Sequence, residues 1–595
     1  MPAKLFDKTP LFYFRPEQET CPIDGHPLQV RNTKTKTIKA TGIGKFKAHH
    51  TTLYCPEHPE LGSCRSSDLL KIVPPDSNVS YSVIIEIGKL RFLQSRQVAE
   101  IQLILLQRHR IEISTSEIEI LINKFLFYLA AVHQENNHLI KEYIKIQGGY
   151  ILHIDATCEG DSPKLVLSLD SVSGFVLYSA KVKSENKDDL IGFLQKIKDR
   201  IGPPHAVVSD MGDGIKGAVK AVFGDIPHFI CHFHFLKIIG LMLFEKENIA
   251  LRKALSKAGV SGSLKTMRGN LGKKFDHLST SEIEQFLMHP DKYGKTPIAS
   301  QLTTYYLVLS ILDHGADGDG YGFPFDQRYL NLYQRLKDAY STITEVQSFY
   351  SNKTKNDRTV WKLYHTIKGV VEDPSLKKIV EQYKIKLAVF SDLREAFGTT
   401  PKSVNNGLTQ MKELTSQREY RKIKRAVQKF IETLAKKNKK EKDKNISDLF
   451  NKVINKLNEY GERLFVDPLV VEVNDEKRTF FIHRTNNIVE HLFRWLNYGF
   501  RRIHGNHSIR RNLENIPEQL PLVENLKNPD YMRLIFGEEK NIAEKFSQID
   551  VKIIRDMEKC HYPKKKIYSS RKIKKTLRSP DFKQQLLSAF QTVAS

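Results

Sequence analysis

Residues 150–156 read YILHIDA and residues 205–210 read HAVVSD, two short apolar runs that each end on an aspartate. Runs of this length, rich in Val, Ile and Leu, are the pattern of strands buried on both faces. A carboxylate at the end of such a strand loses several kcal/mol of hydration unless a cation or a hydrogen-bond donor compensates it. Asp155 and Asp210 are therefore marked out. Taken singly, each would more commonly be a turn former or a helix cap. If the two strands run parallel, however, both carboxylates emerge at one edge of a sheet, within reach of one ion. Hard oxygen ligands suit Mg2+ or Mn2+.

Working outward, further strands are predicted at KLVLSL (164–169), FVLYSAKV (175–182) and HFICHF (228–233), with helices at DDLIGFLQKIKDR (188–200), IKGAVKAVF (215–223) and FLKIIGLMLF (235–244). The turn from Asp170 to Gly174 makes the second and third strands a hairpin, whereas a helix before HAVVSD implies a parallel crossover. The expected fold class is α/β, a mixed sheet in the order β-β-β-α-β-α-β-α.

A third acid comes from RTNNIVEHLFRWLNYGFRR (484–502), predicted as one amphipathic helix. At helical spacing His483, Asn487, Glu490, Arg494, Asn497 and Arg501 form a polar stripe, and Ile488, Leu492, Leu496 and Ile503 an apolar one. The stripe alone is equally that of an ordinary solvated face. Arg494, one turn beyond Glu490, is placed to meet a phosphate.

The ordered set HIDAT, VVSDMGDGIKGAVKAVF, ICHFHFLK and RTNNIVEHLFRWL resembles the DDE superfamily of insertion-sequence and Mutator-like transposases. The resemblance spans residues 150–237 and 483–505. It implies an RNase H-like core interrupted by a long helical insertion, with Asp155, Asp210 and Glu490 as catalytic ligands of two Mg2+ or Mn2+ ions. It also implies double-stranded DNA as partner, comprising element ends and target, and a homo-oligomer assembled on it. Cys231 and His234 match a Cys-x-x-His that follows the second acid in that family; two ligands do not make a zinc site, and a structural role under the sheet is expected.

The remaining sequence is consistent with that reading. A formal net charge of +25 over 595 residues favours a polyanionic partner. No run approaches the roughly 18 apolar residues of a spanning helix, no secretory signal is evident, and six cysteines are too sparse for a disulfide framework. An intracellular protein is expected, cytoplasmic or nucleoid in a prokaryote and nuclear in a eukaryote. No internal repeat is visible.

The expected organisation is a zinc-ribbon-like module (1–75) with Cys21, His26, Cys55 and His58 as zinc ligands and Cys64 as a substitute for either histidine. A helix-turn-helix (80–140), the first part of the core (148–240), a helical insertion (241–475) broken at residues 313–325 and by lysines near Lys440, the final core helix (476–510) and a basic C-terminal region (511–595) follow. Arg494, Arg501, Arg502, Lys564, Lys565 and Lys566 are candidate DNA contacts.

Competing signals are weaker. Gly212, Gly214 and Gly217 match GxGxxG, a dinucleotide fingerprint, yet the strand before them is the fourth, ends in Asp210 and is not followed by an acid about twenty residues on. Asp317 and Asp319 begin like a calcium loop, but its twelfth position is Arg328. A catalytically silent DNA-binding regulator or domesticated remnant is the competing reading from another class; intact acids argue for the enzyme.

Overall fold

The computed structural model describes residues 6, 8–75, 77–289, 298–312, 320–350, 353–400, 417–473, 475–505, 508–537, 541–561 and 578–594. Lys564, Lys565 and Lys566, and the acids of the calcium-like loop, lie outside them.

The five strands β4 (Ile151–Thr157), β5 (Lys164–Asp170), β6 (Val176–Val182), β7 (Ala206–Ser209) and β8 (His228–Ile230) form one sheet in the order β6-β5-β4-β7-β8. β4 pairs antiparallel with β5, and β5 with β6, while β7 runs parallel to β4 and to β8. Helices α6 (Lys187–Ile201) and α7 (Asp213–Phe223) make the crossovers, and α8 (His232–Lys257) leaves the sheet after β8. The β5–β6 turn is closed by buried Asp170, whose carboxylate accepts the N–H groups of Val172, Ser173 and Ile151. β8 is shorter than its apolar run suggests, because Cys231 turns the chain into α8.

Strand alternation divides the packing. Leu152, Ile154 and Val207 face the largest hydrophobic core, and Ile151, Ala206, Val208 and Phe229 face the opposite side. There Leu469 and Phe480, from the hairpin of β9 (Leu469–Val473) and β10 (Glu476–Phe480), cover them.

Between α8 and that hairpin lie long helices, among them Val260–Phe275, Arg328–Val346, Pro374–Ala396, Gln417–Lys440 and Lys444–Leu464, with a core of their own. The helix Gln417–Lys440 ends within the lysine-rich stretch and the next begins at Lys444, with residues 441–443 between them and Asp443 capping the second through the Asn445 N–H.

The chain after the late helix is more than a basic tail. Helices Arg510–Asn515, Pro529–Phe536, Ile542–Gln548 and Val551–His561 place Leu513, Tyr531, Ile535, Phe546 and Ile554 in the same core as β4 and β5. At its centre His133 donates from Nε2 to the Leu177 carbonyl (3.0 Å) and accepts from the Tyr531 hydroxyl at Nδ1 (2.9 Å). Burial drives its pKa down to about 4, so the folded ring is neutral. The unfolded chain takes up a proton near pH 6.5 and the folded chain only near 4, so this site's stability is full above about 6.5 and is lost as pH falls through that window. Thermal melts should therefore fall between neutral pH and 5, less steeply in His133→Gln; an identical slope in the variant would refute this.

The first pair of the helix-turn-helix segment is α3 (Val98–His109) and α4 (Thr115–Glu135), capped by Ser114. From Phe125 to His133 α4 is wholly buried, and its exposed residues lie at its two ends, Thr115, Ser116, Glu119 and Ile120 in the first two turns and Gln134 and Glu135 at the last. The N-terminal module pairs β1 (Leu11–Phe14) with β3 (Gly44–Tyr54) and β3 with β2 (Gln29–Ala40) over a core of only Ile38, Ala40, Phe46, Ala48, Leu69 and Val73. Alternating Thr and Lys in β2 hide this hairpin from a hydrophobicity pattern. No described helix is long and apolar enough to cross a membrane.

The GxGxxG glycines are accounted for by packing. Gly212 donates its N–H to Asp210, and a Cβ on Gly214 would sit 1.9 Å from the Glu185 carbonyl oxygen. Gly217 packs on the Lys187 side chain. Gly214→Ala should cost about 1–3 kcal/mol by forcing α7 off the β6–α6 loop; a wild-type melting temperature would disprove that account.

Candidate active site

The parallel register that matches Ile151 to Ala206 and His153 to Val208 sets Asp155 beside Asp210 when carried two residues further. Both aspartates therefore leave the same edge of the sheet, close enough for the Asp210 charge to act on Asp155. Asp155 accepts the Ala156 N–H at Oδ1 (2.8 Å), and Asp210 that of Gly212 (3.0 Å).

Glu490 arrives from the first turn of the helix Asn487–His504. That helix buries Val489, Leu492, Phe493, Leu496, Phe500 and Ile503 in the main core, which leaves Glu490 half-buried and aimed at the sheet edge. Its start is pinned by Asn486. Asparagine at this position commonly caps its own helix, but here the side chain is diverted to β4. Nδ2 donates to the Ile154 carbonyl (2.8 Å) and Oδ1 accepts from His153 Nδ1 (2.9 Å), while the Asn486 N–H points at Cys231 Sγ (3.2 Å). Residues 332 apart in sequence are thus locked together immediately beside Asp155.

The electrostatics follow from this convergence. The Asp155 carboxyl is held well above the usual carboxylate range, first by burial and then by the negative charges of Asp210, Glu490 and Glu185. His234, in the first turn of α8, has Nε2 3.9 Å from Glu490 Oε1. Burial lowers its pKa, against the pull of Glu490 and Asp210. Cys231 is buried, and desolvation followed by the Glu490 charge pushes its thiol up to about 12. Cys231 thus supports the backbone of the late helix, whereas His234 stands within the acid cluster. Glu185 was not singled out in the sequence; it sits in the loop before α6 and pairs with Lys164 at 2.6 Å.

Several acids of like charge at one sheet edge suit divalent cations, which would offset the repulsion that raises the Asp155 pKa. Further along the late helix, Arg494, Arg501 and Arg502 are exposed, and the last two lie in its final turn.

No family model matches the chain, and no curated protein matches it. Among solved structures it is similar to the Drosophila P element transposase strand transfer complex, with 12% identity over 76% of this chain and 93% of that chain and a TM-score of 0.31.

At the other end of the molecule, Cys21 and Cys55 are buried and lie next to each other with Asp24. Ligand atoms of these three residues are all within 4.8 Å of one another. His26 and His58 each approach Asp24 Oδ2, at 3.2 and 3.4 Å. Cys64 is not in the group; its backbone pairs with Leu53. Asp24 was missed because only cysteine and histidine spacings were read as ligands.

Proposed function

We propose that this chain is a DDE-type transposase, an enzyme that cuts and rejoins DNA strands at the cluster of Asp155, Asp210 and Glu490 on an RNase H-like core. The observation that carries this reading is the convergence of three acids from two parallel strands and a distant helix on one desolvated edge.

The three carboxylates would hold two Mg2+ or Mn2+ ions, which when bound would supply the Lewis acidity to activate a water or a DNA 3′-hydroxyl and to stabilise a leaving oxygen on phosphorus. The protein's own contribution is placement. Backbone N–H groups of Ala156 and Gly212 orient the two aspartates, and the Asn486 clamp sets the depth and rotation of Glu490. Exposed Arg494, Arg501 and Arg502 extend from the acids as a basic track for phosphates, to which Lys564, Lys565 and Lys566 would add. The first two turns of α4 and the amino-terminal module are the parts available to read element ends. Joining two ends calls for a homo-oligomer on double-stranded DNA.

The test is incubation of the purified chain with DNA carrying the sequences that flank its reading frame, in Mg2+. Nicking at the element boundary and joining of the 3′ end to a target are expected. Binding without cutting, in both Mg2+ and Mn2+, would instead establish the silent regulator.

A further inference from the structure

We propose that the amino-terminal module holds one zinc ion on Cys21, Asp24, Cys55 and His58. This site is independent of the acid cluster in the core.

The four residues form two matching turns. Residues 21–24 read C-P-I-D and residues 55–58 read C-P-E-H, so each cysteine is followed by a proline and, three positions on, by a second donor. This is the ligand spacing of a zinc-binding knuckle, with aspartate and histidine in the second positions. In the first turn the Gly25 N–H donates to the Cys21 carbonyl (2.9 Å) and the Cys21 N–H to that of His26 (2.8 Å). Gly25 adopts φ +73°, which brings the chain round without a Cβ clash.

Tetrahedral zinc with bonds of about 2.0–2.3 Å spaces its ligand atoms roughly 3.3–3.8 Å apart. His58 Nε2 is 3.4 Å from Asp24 Oδ2, and Cys55 Sγ is 4.0 Å from the same oxygen. Small inward movements would complete the set.

The orientation of His58 is the second sign. Its Nδ1 lies 2.9 Å from Glu60 Oε1, an arrangement in which Nδ1–H donates to a carboxylate and leaves the Nε2 lone pair facing Asp24. With Nδ1–H engaged by Glu60, a second ring proton or a metal ion must lie between Nε2 and the Asp24 oxygen, and a carboxylate behind the ring is the usual support of a zinc-bound histidine. His26 also reaches Asp24, but its side chain is 69% exposed against 27% for His58, and among the described residues Asp24 is the one carboxylate that its ring approaches. It serves as a hydrogen-bond partner of Asp24 from outside. The module's apolar cluster is small, six buried residues with Phe14 packed against them among the described residues, and it lies away from the Cys21 and Cys55 turns, which gives a metal clip its structural purpose there.

The full-length protein, purified without chelator, should contain one zinc per chain at this site. After exchange with Co2+ it should show the thiolate-to-cobalt charge-transfer absorption in the near ultraviolet, which an oxygen-ligated core site cannot produce. Cys21→Ser with Cys55→Ser should abolish that band. Asp24→Cys should intensify it, since a third thiolate joins the ion, and this variant guards against loss of fold in the serine pair. Glu60→Gln should weaken metal affinity about 10–100-fold, as removal of an outer-shell carboxylate does. His26→Ala and Cys64→Ser should leave the band intact. Wild-type protein without zinc or the band, a Cys21–Cys55 disulfide in its place, an unchanged band in Asp24→Cys, or a loss in His26→Ala equal to that in His58→Ala would each overturn the assignment.

Discussion

Glu490→Gln is expected to abolish strand cleavage and strand joining, with a loss of about three orders of magnitude or more. This corresponds to roughly 4 kcal/mol of transition-state stabilisation. The same loss is expected for Asp155→Asn and Asp210→Asn, and combining two substitutions should cost little beyond one, because ligands of a common site act as a unit. DNA affinity should be unchanged, since phosphate contacts by Lys and Arg supply it. Folding should not suffer either. In metal-free protein, Asp155→Asn removes a carboxyl whose ionisation is opposed by burial and by three neighbouring acids. The variant should melt no lower than wild type at neutral pH. Gel-based cleavage rates, a binding titration and a melt on the same preparations separate these effects. Wild-type cutting by Glu490→Gln would sink its role as third ligand and pass that role to Glu185, the third acid acting on Asp155.

The contrast between Glu490 and the aspartates also shows what a sequence can reveal. Asp155 and Asp210 are legible because the chemistry is local: an acid ending an apolar strand is anomalous wherever it occurs, and two parallel strands bring such acids together. Glu490 sits on a helix whose polar stripe has no anomaly of its own; only a family resemblance singled it out. Glu185 and Asp24 were invisible for a related reason, since each lies in a turn where acids are ordinary, and only the fold supplies its neighbours. The C-terminal helices have short, interrupted apolar patterns between charged residues. Their burial depends on the groove left by α4 and β6.

Asn486→Ala should destabilise the protein by about 2–4 kcal/mol and should weaken cutting well beyond what that loss of stability explains. The side chain is fully buried and makes two hydrogen bonds to β4, so truncation leaves the Ile154 carbonyl and His153 Nδ1 without these partners in a dry interior, at a cost of about 1–3 kcal/mol each. His153 has no means of recovering solvent: it is fully buried and its Nε2 already lacks a partner among the described residues. The consequence for activity follows from the position of the clamp. It joins β4 next to Asp155 to the helix that carries Glu490, so loosening it changes the separation of two proposed ligands without touching either. A positioning defect of this kind should raise the Mg2+ concentration needed for half-maximal cutting and should be partly rescued by Mn2+, whereas Glu490→Gln should not be rescued by either ion. Asn486→Asp, which keeps the acceptor for His153 but loses the donor to Ile154 and brings a buried charge, should fail in the same direction. If Asn486→Ala melts with the wild type and cuts with an unchanged metal requirement, the late helix is held by its apolar face alone, and the placement of Glu490 must be attributed to Val489, Leu492 and Phe493 instead.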